Sequence, residues 1–168
     1  MTRYQLAKLI QWAETLKTRK RLQKVVFLLQ AAGCPFDAEF YLHHYGPYSE
    51  EVARLTDEMT RKGLLEETAE TAPGGSKYSY RLEAAALQQL IDLEQTEEGK
   101  SWAEQMAVYE AKAKKLLQQD VKDLEYASTI LYFRVQGEAW DEAVEKAAQF
   151  KRTPAVRKAL SLAQEALA

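Results

Sequence analysis

The chain has 168 residues, which allows one domain or two small ones around a real hydrophobic core. Its hydrophobic fraction of 46% and charged fraction of 29% are ordinary for a soluble globular protein, and no apolar run approaches the roughly 18 residues that span a bilayer. Residues 1–82 carry 12 Lys and Arg against 10 Asp and Glu, and residues 83–168 carry 11 against 15, so neither half resembles a strongly basic nucleic-acid-binding protein. The first residues contain no apolar leader, and the single cysteine, Cys34, suits a reducing compartment, so we expect a cytoplasmic protein.

The chain opens with two predicted helices and a short strand. Apolar residues at helical spacing predict a first helix over residues 3–17 and a second helix that Thr18 caps and Gly33 ends. The aromatic-rich segment Phe40–Tyr45 predicts a strand. Gly46-Pro47 then predicts a turn that ends the strand, because Gly adopts positive φ and Pro lacks a backbone N–H.

A third helix and a hairpin complete the first half of the chain. Ser49 is a good N-cap for a helix that runs to about residue 62. Residues 64–68 and 77–82 predict two strands, and the Gly-rich segment 69–76 predicts the loop between them. This order is typical of a winged helix, in which the third helix occupies the recognition position and the 69–76 loop is the wing.

Every segment from residue 83 onward predicts a helix. A long helix carries an apolar stripe from Trp102 to Leu116, and Asp120 caps a helix that apolar residues surround, which indicates burial on most sides. We therefore predict a mainly α protein with a small β-sheet. It consists of a winged-helix-like domain over residues 1–82 and a C-terminal helical bundle over residues 83–168 that packs against it.

Three segments together resemble a known family. They are Arg21-Leu22-Gln23-Lys24 with the apolar residues after it, Phe40 through Tyr45-Gly46-Pro47-Tyr48-Ser49, and Leu55 through Gly63-Leu64-Leu65. This combination resembles the Panacea antitoxin-type domain and its uncharacterised bacterial and archaeal relatives, the YwgA-like proteins. The resemblance to the YwgA-like group also takes in the segment Leu124–Ile130. It implies a winged-helix-like N-terminal part without catalytic residues and, in the antitoxin relatives, the binding of a protein toxin.

The residues that could carry chemistry form no recognisable constellation. His43 and His44 are the only histidines, and neighbours in a strand point to opposite faces, so a structural role is favoured over a shared metal or proton transfer. Cys34 precedes a proline with no motif around it, which favours a plain loop thiol over a nucleophile. We expect no cofactor, no metal site and no catalytic residue.

A basic cluster is the main candidate for contact with a partner. The cluster contains Lys17, Arg19, Lys20, Arg21 and Lys24, and it is either a solvated helix face or a site for an anionic partner. Several tyrosines are either core residues or an exposed protein-contact surface. The candidate contacts to a protein or a nucleic acid are Arg19, Lys20, Arg21, Lys24, Tyr48, Lys77 and Arg81.

The third helix argues against ordinary DNA reading. Four acidic and three basic residues lie on it, and two of the acidic ones, Glu50 and Glu51, are at the end that usually approaches the bases. Our leading hypothesis is a non-enzymatic regulatory or antitoxin-like module that binds another protein. The alternative is a winged-helix DNA-binding transcriptional regulator. We also predict a homodimer through the C-terminal helices, because short Ala-rich helices cover little of the aromatic surface beside them.

Overall fold

The computed structural model describes all residues 1–168, and it is mainly α-helical with two small antiparallel sheets, which confirms the predicted fold class. The sheet order is β1-β5-β4 in the larger sheet, whereas β2 and β3 form a separate hairpin. The strands are β1 (Leu16–Lys17), β2 (Tyr41–His43), β3 (Gly46–Tyr48), β4 (Leu65–Ala72) and β5 (Gly75–Leu82). The helices are α1 (Arg3–Ala13), α2 (Arg19–Ala31), α3 (Glu50–Arg61), α4 (Ala84–Leu93), α5 (Glu97–Ala107), α6 (Glu110–Leu117), α7 (Val121–Val135), α8 (Trp140–Lys151) and α9 (Leu160–Leu167).

The first helix is shorter than predicted and is followed by a strand that we did not predict. α1 ends at Ala13, because Glu14 adopts a φ of +60° and turns the chain. Leu16 and Lys17 then pair with Tyr80 and Ser79 of β5. A two-residue strand leaves no alternating pattern in the sequence, so only the pairing with β5 defines it.

The prediction that Gly46-Pro47 forms a turn and ends the strand is wrong. The turn lies at His44 and Tyr45, and Gly46-Pro47 belongs to β3, which pairs with β2 through Leu42 opposite Pro47 and His43 opposite Gly46. Pro is tolerated here because the sheet has two strands only, so each strand has a free edge. The predicted N-cap is confirmed, since the Ser49 hydroxyl accepts from the Val52 N–H at 3.3 Å and α3 follows it directly.

The second hairpin is longer, and its loop shorter, than predicted. β4 and β5 pair without interruption from Leu65 opposite Leu82 to Ala72 opposite Gly75. The connecting turn is therefore only Pro73 and Gly74, and most of the segment predicted as a loop is strand. All eight residues of β4 except its first and last are exposed, so the hairpin projects from the body of the protein.

The long helix predicted in the second half is interrupted. It divides into α5 and α6 at Val108 and Tyr109, and the Tyr109 hydroxyl donates to the Gly33 carbonyl at 2.7 Å. The last predicted helix likewise begins as a 3₁₀ segment, Pro154–Ala159, before α9. α7 is buried along most of its length, as predicted, and packs against α2, α8, α9 and β3.

The two halves of the chain share a core. One cluster of 26 buried residues combines side chains of α1 and α2 with Met106, Leu116, Leu124 and Leu131 of the C-terminal helices. A second cluster of nine residues lies between α7, α8 and the following helical turns. None of the nine helices combines the length and the apolar composition that a span across a bilayer requires.

Candidate functional site

The β2–β3 hairpin carries a cluster of four aromatic rings that we call the aromatic face: Tyr41, His43, Tyr45 and Tyr48. The ring centroid of His43 lies 6.4 Å from that of Tyr41, 6.0 Å from Tyr45 and 5.6 Å from Tyr48. Tyr41 and Tyr45 are 44% and 58% exposed, and they are among the few large apolar side chains at the surface. Because the rings contact one another, the hairpin holds a preformed apolar surface with polar edges.

The opposite side of this hairpin is pressed against α7. A Cβ atom added to Gly46 would lie 2.9 Å from the Thr129 Oγ1 atom and 3.4 Å from the Glu125 carbonyl oxygen. Gly46 also has a φ of +89°, so both the close approach and the backbone conformation require glycine. Gly46 and Pro47 are buried, which fixes the hairpin on the helix.

Two side chains of α2 bind the segment that leads out of the hairpin. The Gln23 amide donates to the Ser49 carbonyl at 2.9 Å and accepts from the Ser49 N–H at 2.8 Å. The Lys24 ammonium donates to the Pro47 carbonyl at 2.7 Å. The two most recognisable segments of the sequence, Leu-Gln-Lys and Gly-Pro-Tyr-Ser, are therefore two sides of one contact.

A buried carboxylate lies beneath the hairpin. Glu125 of α7 is 0% exposed and forms ion pairs with Lys20 of α2 and Lys151 of α8, with Lys122 further away at 3.7 Å. Burial raises the pKa of the Glu125 carboxyl, but the Lys151 and Lys20 ammonium groups outweigh this effect and hold the pKa below its usual range. Lys151 also donates to the His44 carbonyl at 2.7 Å, so α8, α7, α2 and the hairpin meet at this point.

The Tyr45 ring covers this charged centre. The Lys20 ammonium lies 4.6 Å from the ring centroid and the Lys151 ammonium 5.9 Å from it. The ring thus contacts two cations of the charged centre while 58% of Tyr45 stays exposed to solvent. This contact fixes the orientation of the most exposed ring of the aromatic face.

Lys24 is the least exposed cation of the predicted contact set. Its side chain is enclosed, with 2% of the residue exposed, so it does not reach the surface where a partner could contact it. Burial lowers the pKa of the Lys24 ammonium to about 7 against the opposing effect of the Glu125 carboxylate, and the nearby Lys20 and Lys151 lower it further. Near neutral pH Lys24 is therefore only partly charged.

Arg19 lies at the other end of the basic cluster, between α3 and the long hairpin. Its guanidinium donates to Asp57 at 2.7 Å, to Glu67 at 3.2 Å and to the Tyr80 hydroxyl at 2.6 Å. The same guanidinium lies 5.4 Å from the centroid of the Tyr78 ring. Two carboxylates thus compensate the charge of Arg19, which holds α2, α3, β4 and β5 together.

The remaining predicted contact residues are in three different places. Arg21 donates to the carbonyls of Lys17, Leu117 and Gln119, and so closes the C-terminal end of α6. Lys77 and Arg81 are exposed on β5, opposite Glu70 and Glu66. Tyr48 is half-buried in the aromatic face. The structure therefore does not bring the predicted set together as one basic surface.

Neither histidine nor the cysteine is part of a ligand cluster. The structure contains no group of three or more His, Cys, Asp and Glu side chains that could hold a metal ion. Cys34 is 2% exposed, and burial raises the pKa of its thiol to about 12, so the thiol stays protonated at neutral pH.

Sequence reasoning missed two residues of this centre, Glu125 and Lys151. Glu125 had a usable signal, because it is an acidic residue inside a helix predicted to be buried on most sides, and such a residue needs a cationic partner. Lys151 had no comparable signal, since it lies 107 residues from the His44 carbonyl that it contacts. Only the packing of α8 against α7 places it there.

Comparison with known proteins adds one relative. No family model matches the chain. The chain is similar to the uncharacterized protein YwgA of Bacillus subtilis (strain 168), with 38% identity over 64 residues. The aligned region is 38% of this chain and 39% of YwgA, so the chain spans about two fifths of the length of the curated relative that it matches. This similarity supports the resemblance to YwgA-like proteins, and the relationship to the antitoxin-type domain stays a prediction.

Proposed function

We propose that this protein is a non-enzymatic regulatory module that binds another protein through the aromatic face of the β2–β3 hairpin. The observation that carries the proposal is that Tyr41 and Tyr45 are 44% and 58% exposed on a hairpin whose other side is buried. Tyrosine is enriched in protein interfaces because its ring supplies apolar area and its hydroxyl a hydrogen bond.

The rigidity of the hairpin supports this proposal. Gln23, Lys24 and Lys151 bind its backbone carbonyls and the N–H of Ser49, so the rings lie on a framework that needs little ordering when a partner arrives. Preorganised side chains contribute more to affinity, because less conformational entropy is lost on binding. A pair of exposed tyrosines on a mobile loop would not have this advantage.

An antitoxin-like role is the narrower form of the proposal, with a protein toxin as the partner. Its support is the resemblance in the Leu-Gln-Lys and Gly-Pro-Tyr-Ser segments, which form the contact that positions the aromatic face. The charge near that face is mixed, because the Tyr41 hydroxyl contacts Glu50 while Tyr45 covers Lys20. Shape and aromatic contact, more than net charge, are therefore expected to select the partner.

The test compares two double variants of the full chain in affinity capture from the native host. Tyr41→Ser with Tyr45→Ser removes the exposed rings, and Glu70→Ser with Lys77→Ser changes the other hairpin at equally exposed positions. We expect a stoichiometric partner with the unchanged protein and with the second variant, and its loss with the first. The proposal is wrong if all three proteins capture the same partner equally, or if the unchanged protein captures none.

DNA binding is a second candidate, favoured by the order of the helices around the β1-β5-β4 sheet and by the exposed Lys77 and Arg81. Against it, Asp57 and Glu67 compensate Arg19, and Glu125 compensates Lys20. Gel shifts with genomic fragments at low salt decide between the two. Binding that weakens steeply with salt and with Lys77→Glu and Arg81→Glu would support this candidate.

The homodimer through the C-terminal helices also stays a prediction. In the structure, Trp102, Tyr109, Tyr126, Tyr132 and Phe133 are half-buried within the chain, so less of their surface is free than we assumed. The exposed large apolar residues of this half that could form such a contact are Ile91, Val108, Val135, Phe150 and Leu167, of which Val108 is the most exposed at 76%. Light scattering at tens of micromolar measures the mass, and a monomer mass would refute the dimer.

A further inference from the structure

A cavity of about 530 Å³ lies where the α1–α2 connection meets the end of α6. Its lining brings together three cations, Lys17, Arg21 and Lys114, with Glu14 and with Trp12, which is 9% exposed. None of its lining residues belongs to the aromatic face. Its volume is within the range of small-molecule binding sites.

Arg21 is fixed in this cavity without a carboxylate partner. Its Nε atom donates to the Lys17 carbonyl at 3.2 Å, and its Nη1 atom donates to the Leu117 carbonyl at 3.0 Å and to the Gln119 carbonyl. The Nη2 atom makes no hydrogen bond within the protein, and Arg21 forms no ion pair, although the Asp120 carboxylate lies near enough to favour its charged form. Three carbonyls therefore hold a guanidinium in position while its remaining N–H groups stay available to an acceptor.

The other two cations add positive charge beside this guanidinium. Lys17 forms no ion pair, and Lys114 has only the exposed pair with Glu110 on its own helix at 2.6 Å. An exposed pair of this kind contributes little stability, so Lys114 can exchange partners at low cost. Three cations against Glu14, the one acidic lining residue, give the lining a formal charge of about +2, and the carboxylates of Glu110 beside Lys114 and Asp120 beside Arg21 lie outside the lining.

The backbone that shapes the cavity is strained. Glu14 has φ +60° and ψ −59°, and the Thr15 N–H donates to the Ala13 carbonyl at 2.7 Å, which defines a γ-turn of the unfavourable type. Thr18, a β-branched residue, has a φ of +72°. Such conformations cost on the order of 1–3 kcal/mol each and concentrate at binding sites. Glu14 and Thr18 lie close to lining cations in the sequence, and Thr18 is the N-cap of the helix that carries Arg21.

We propose that this cavity binds a small organic phosphate monoester. The phosphate is held by Lys17, Lys114 and the Nη2 group of Arg21, and a flat apolar part of the ligand lies against Trp12. A monoester carries a charge near −2, which matches the formal charge of the lining residues, and a guanidinium with available N–H groups fits phosphate oxygens. A neutral molecule would leave the cations uncompensated.

The test is calorimetric titration of the full chain with adenosine monophosphate, inorganic phosphate and adenosine at constant ionic strength. We expect saturable binding of one adenosine monophosphate, weaker binding of phosphate and none of adenosine. Trp12 fluorescence, followed in a Trp102→Phe and Trp140→Phe variant, changes with the same midpoint. Absence of saturable binding overturns the proposal, and equal affinity for phosphate and its adenosine ester overturns the role of Trp12.

Variants locate the site without disturbing Arg21, whose hydrogen bonds support the fold. Lys17→Met and Lys114→Met each weaken binding about tenfold, because each removes one charged contact to the phosphate. Lys115→Met is the matched control: it lies on the same helix but pairs with Glu165, away from the cavity. An equal loss with Lys115→Met means that binding follows net charge only, and the proposal is then wrong.

Discussion

Both hairpins of this chain have a two-residue turn, but one is packed against a helix and the other is largely exposed to solvent. β2–β3 has three residues in each strand and lies on α7, with Gly46 and Pro47 buried. β4–β5 has eight residues in each strand and projects from the body of the protein, with most of β4 exposed. The short hairpin depends on tertiary contacts, whereas the long hairpin is stabilised mainly by its own ladder.

The charged groups beside the hairpins differ in the same way. Glu125, under the short hairpin, is fully buried with Lys20 and Lys151 around it. The Arg19 network beside the long hairpin has side chains that keep about a quarter to a half of their exposure. An ion pair in water contributes little, whereas an unpaired charge in the interior is costly. The same substitution should therefore have very different effects at the two places.

The largest expected effect is that of Glu125→Gln. It leaves the lysines under the short hairpin without their carboxylate, and we expect a loss of about 4 kcal/mol in the free energy of unfolding. The matched control is Asp57→Asn, which removes one exposed partner of Arg19 and should cost less than about 1 kcal/mol. Urea unfolding measures both, and equal losses would show that Glu125 is better solvated than its burial indicates.

Gly46→Ala tests the contact of the short hairpin with α7. The new methyl group approaches Thr129 to 2.9 Å at a φ of +89°, so we expect a loss of about 3 kcal/mol from the clash and the backbone together. Gly74→Ala in the other hairpin has a φ of +91° and nothing within 4 Å, so it isolates the backbone cost of about 1 kcal/mol. Similar losses in urea unfolding for the two variants would mean that α7 accommodates the methyl group.

The pH dependence of stability tests the burial of Lys24. Its pKa is about 7 in the folded chain and near 10.5 when exposed, so between these values the unfolded chain binds a proton that the folded chain has released. Stability due to Lys24 therefore rises with pH in this window, by up to about 1.4 kcal/mol per pH unit. Glu125, Lys20 and Lys151 are the charged groups that face it.

Unfolding of the unchanged protein and of Lys24→Met at about pH 7.5 and about pH 9.5 measures this effect. From the lower to the higher pH, we expect the unfolding free energy of the unchanged protein to rise by about 2 kcal/mol relative to that of Lys24→Met. Because the variant lacks the Lys24 ammonium, the difference between the two proteins removes the contribution of all other titratable groups. A difference that does not change with pH would show that Lys24 stays charged in the folded chain.

The smallest effect is expected for Lys77→Ala on the long hairpin. Lys77 is exposed and lies opposite Glu70 without an ion pair, so the free energy of unfolding should change by less than about 0.5 kcal/mol. Chemical unfolding measures this as well. A loss above about 1 kcal/mol would mean that the projecting hairpin is more strongly coupled to the body than its exposure indicates.

Local signals in the sequence predicted most of the elements. Thr18, Ser49 and Asp120 are N-caps in the structure as expected, because a capping side chain acts within three residues of its own position. The sequence predicted both strands of the β4–β5 hairpin but not how far they pair. The exposed residues between Thr68 and Lys77 have no alternation of apolar and polar residues that would indicate a strand. Gly46-Pro47 was wrongly predicted as a turn, because Gly and Pro are typical turn residues and here they are buried residues of the short strand β3.

The sequence by itself determined the N-caps at Thr18, Ser49 and Asp120, the burial of α7, and the three segments that make the chain similar to YwgA-like proteins. Those properties depend on neighbours in the sequence. Only the tertiary structure decided that Gln23 and Lys24 bind the Gly-Pro-Tyr-Ser segment, that Lys151 reaches Glu125, and that Arg21 closes α6 instead of lying on a basic surface. The partners in those contacts are 23 to 98 positions apart in the sequence. A charged residue in the sequence does not by itself tell whether its partner is solvent, a carboxylate or a carbonyl.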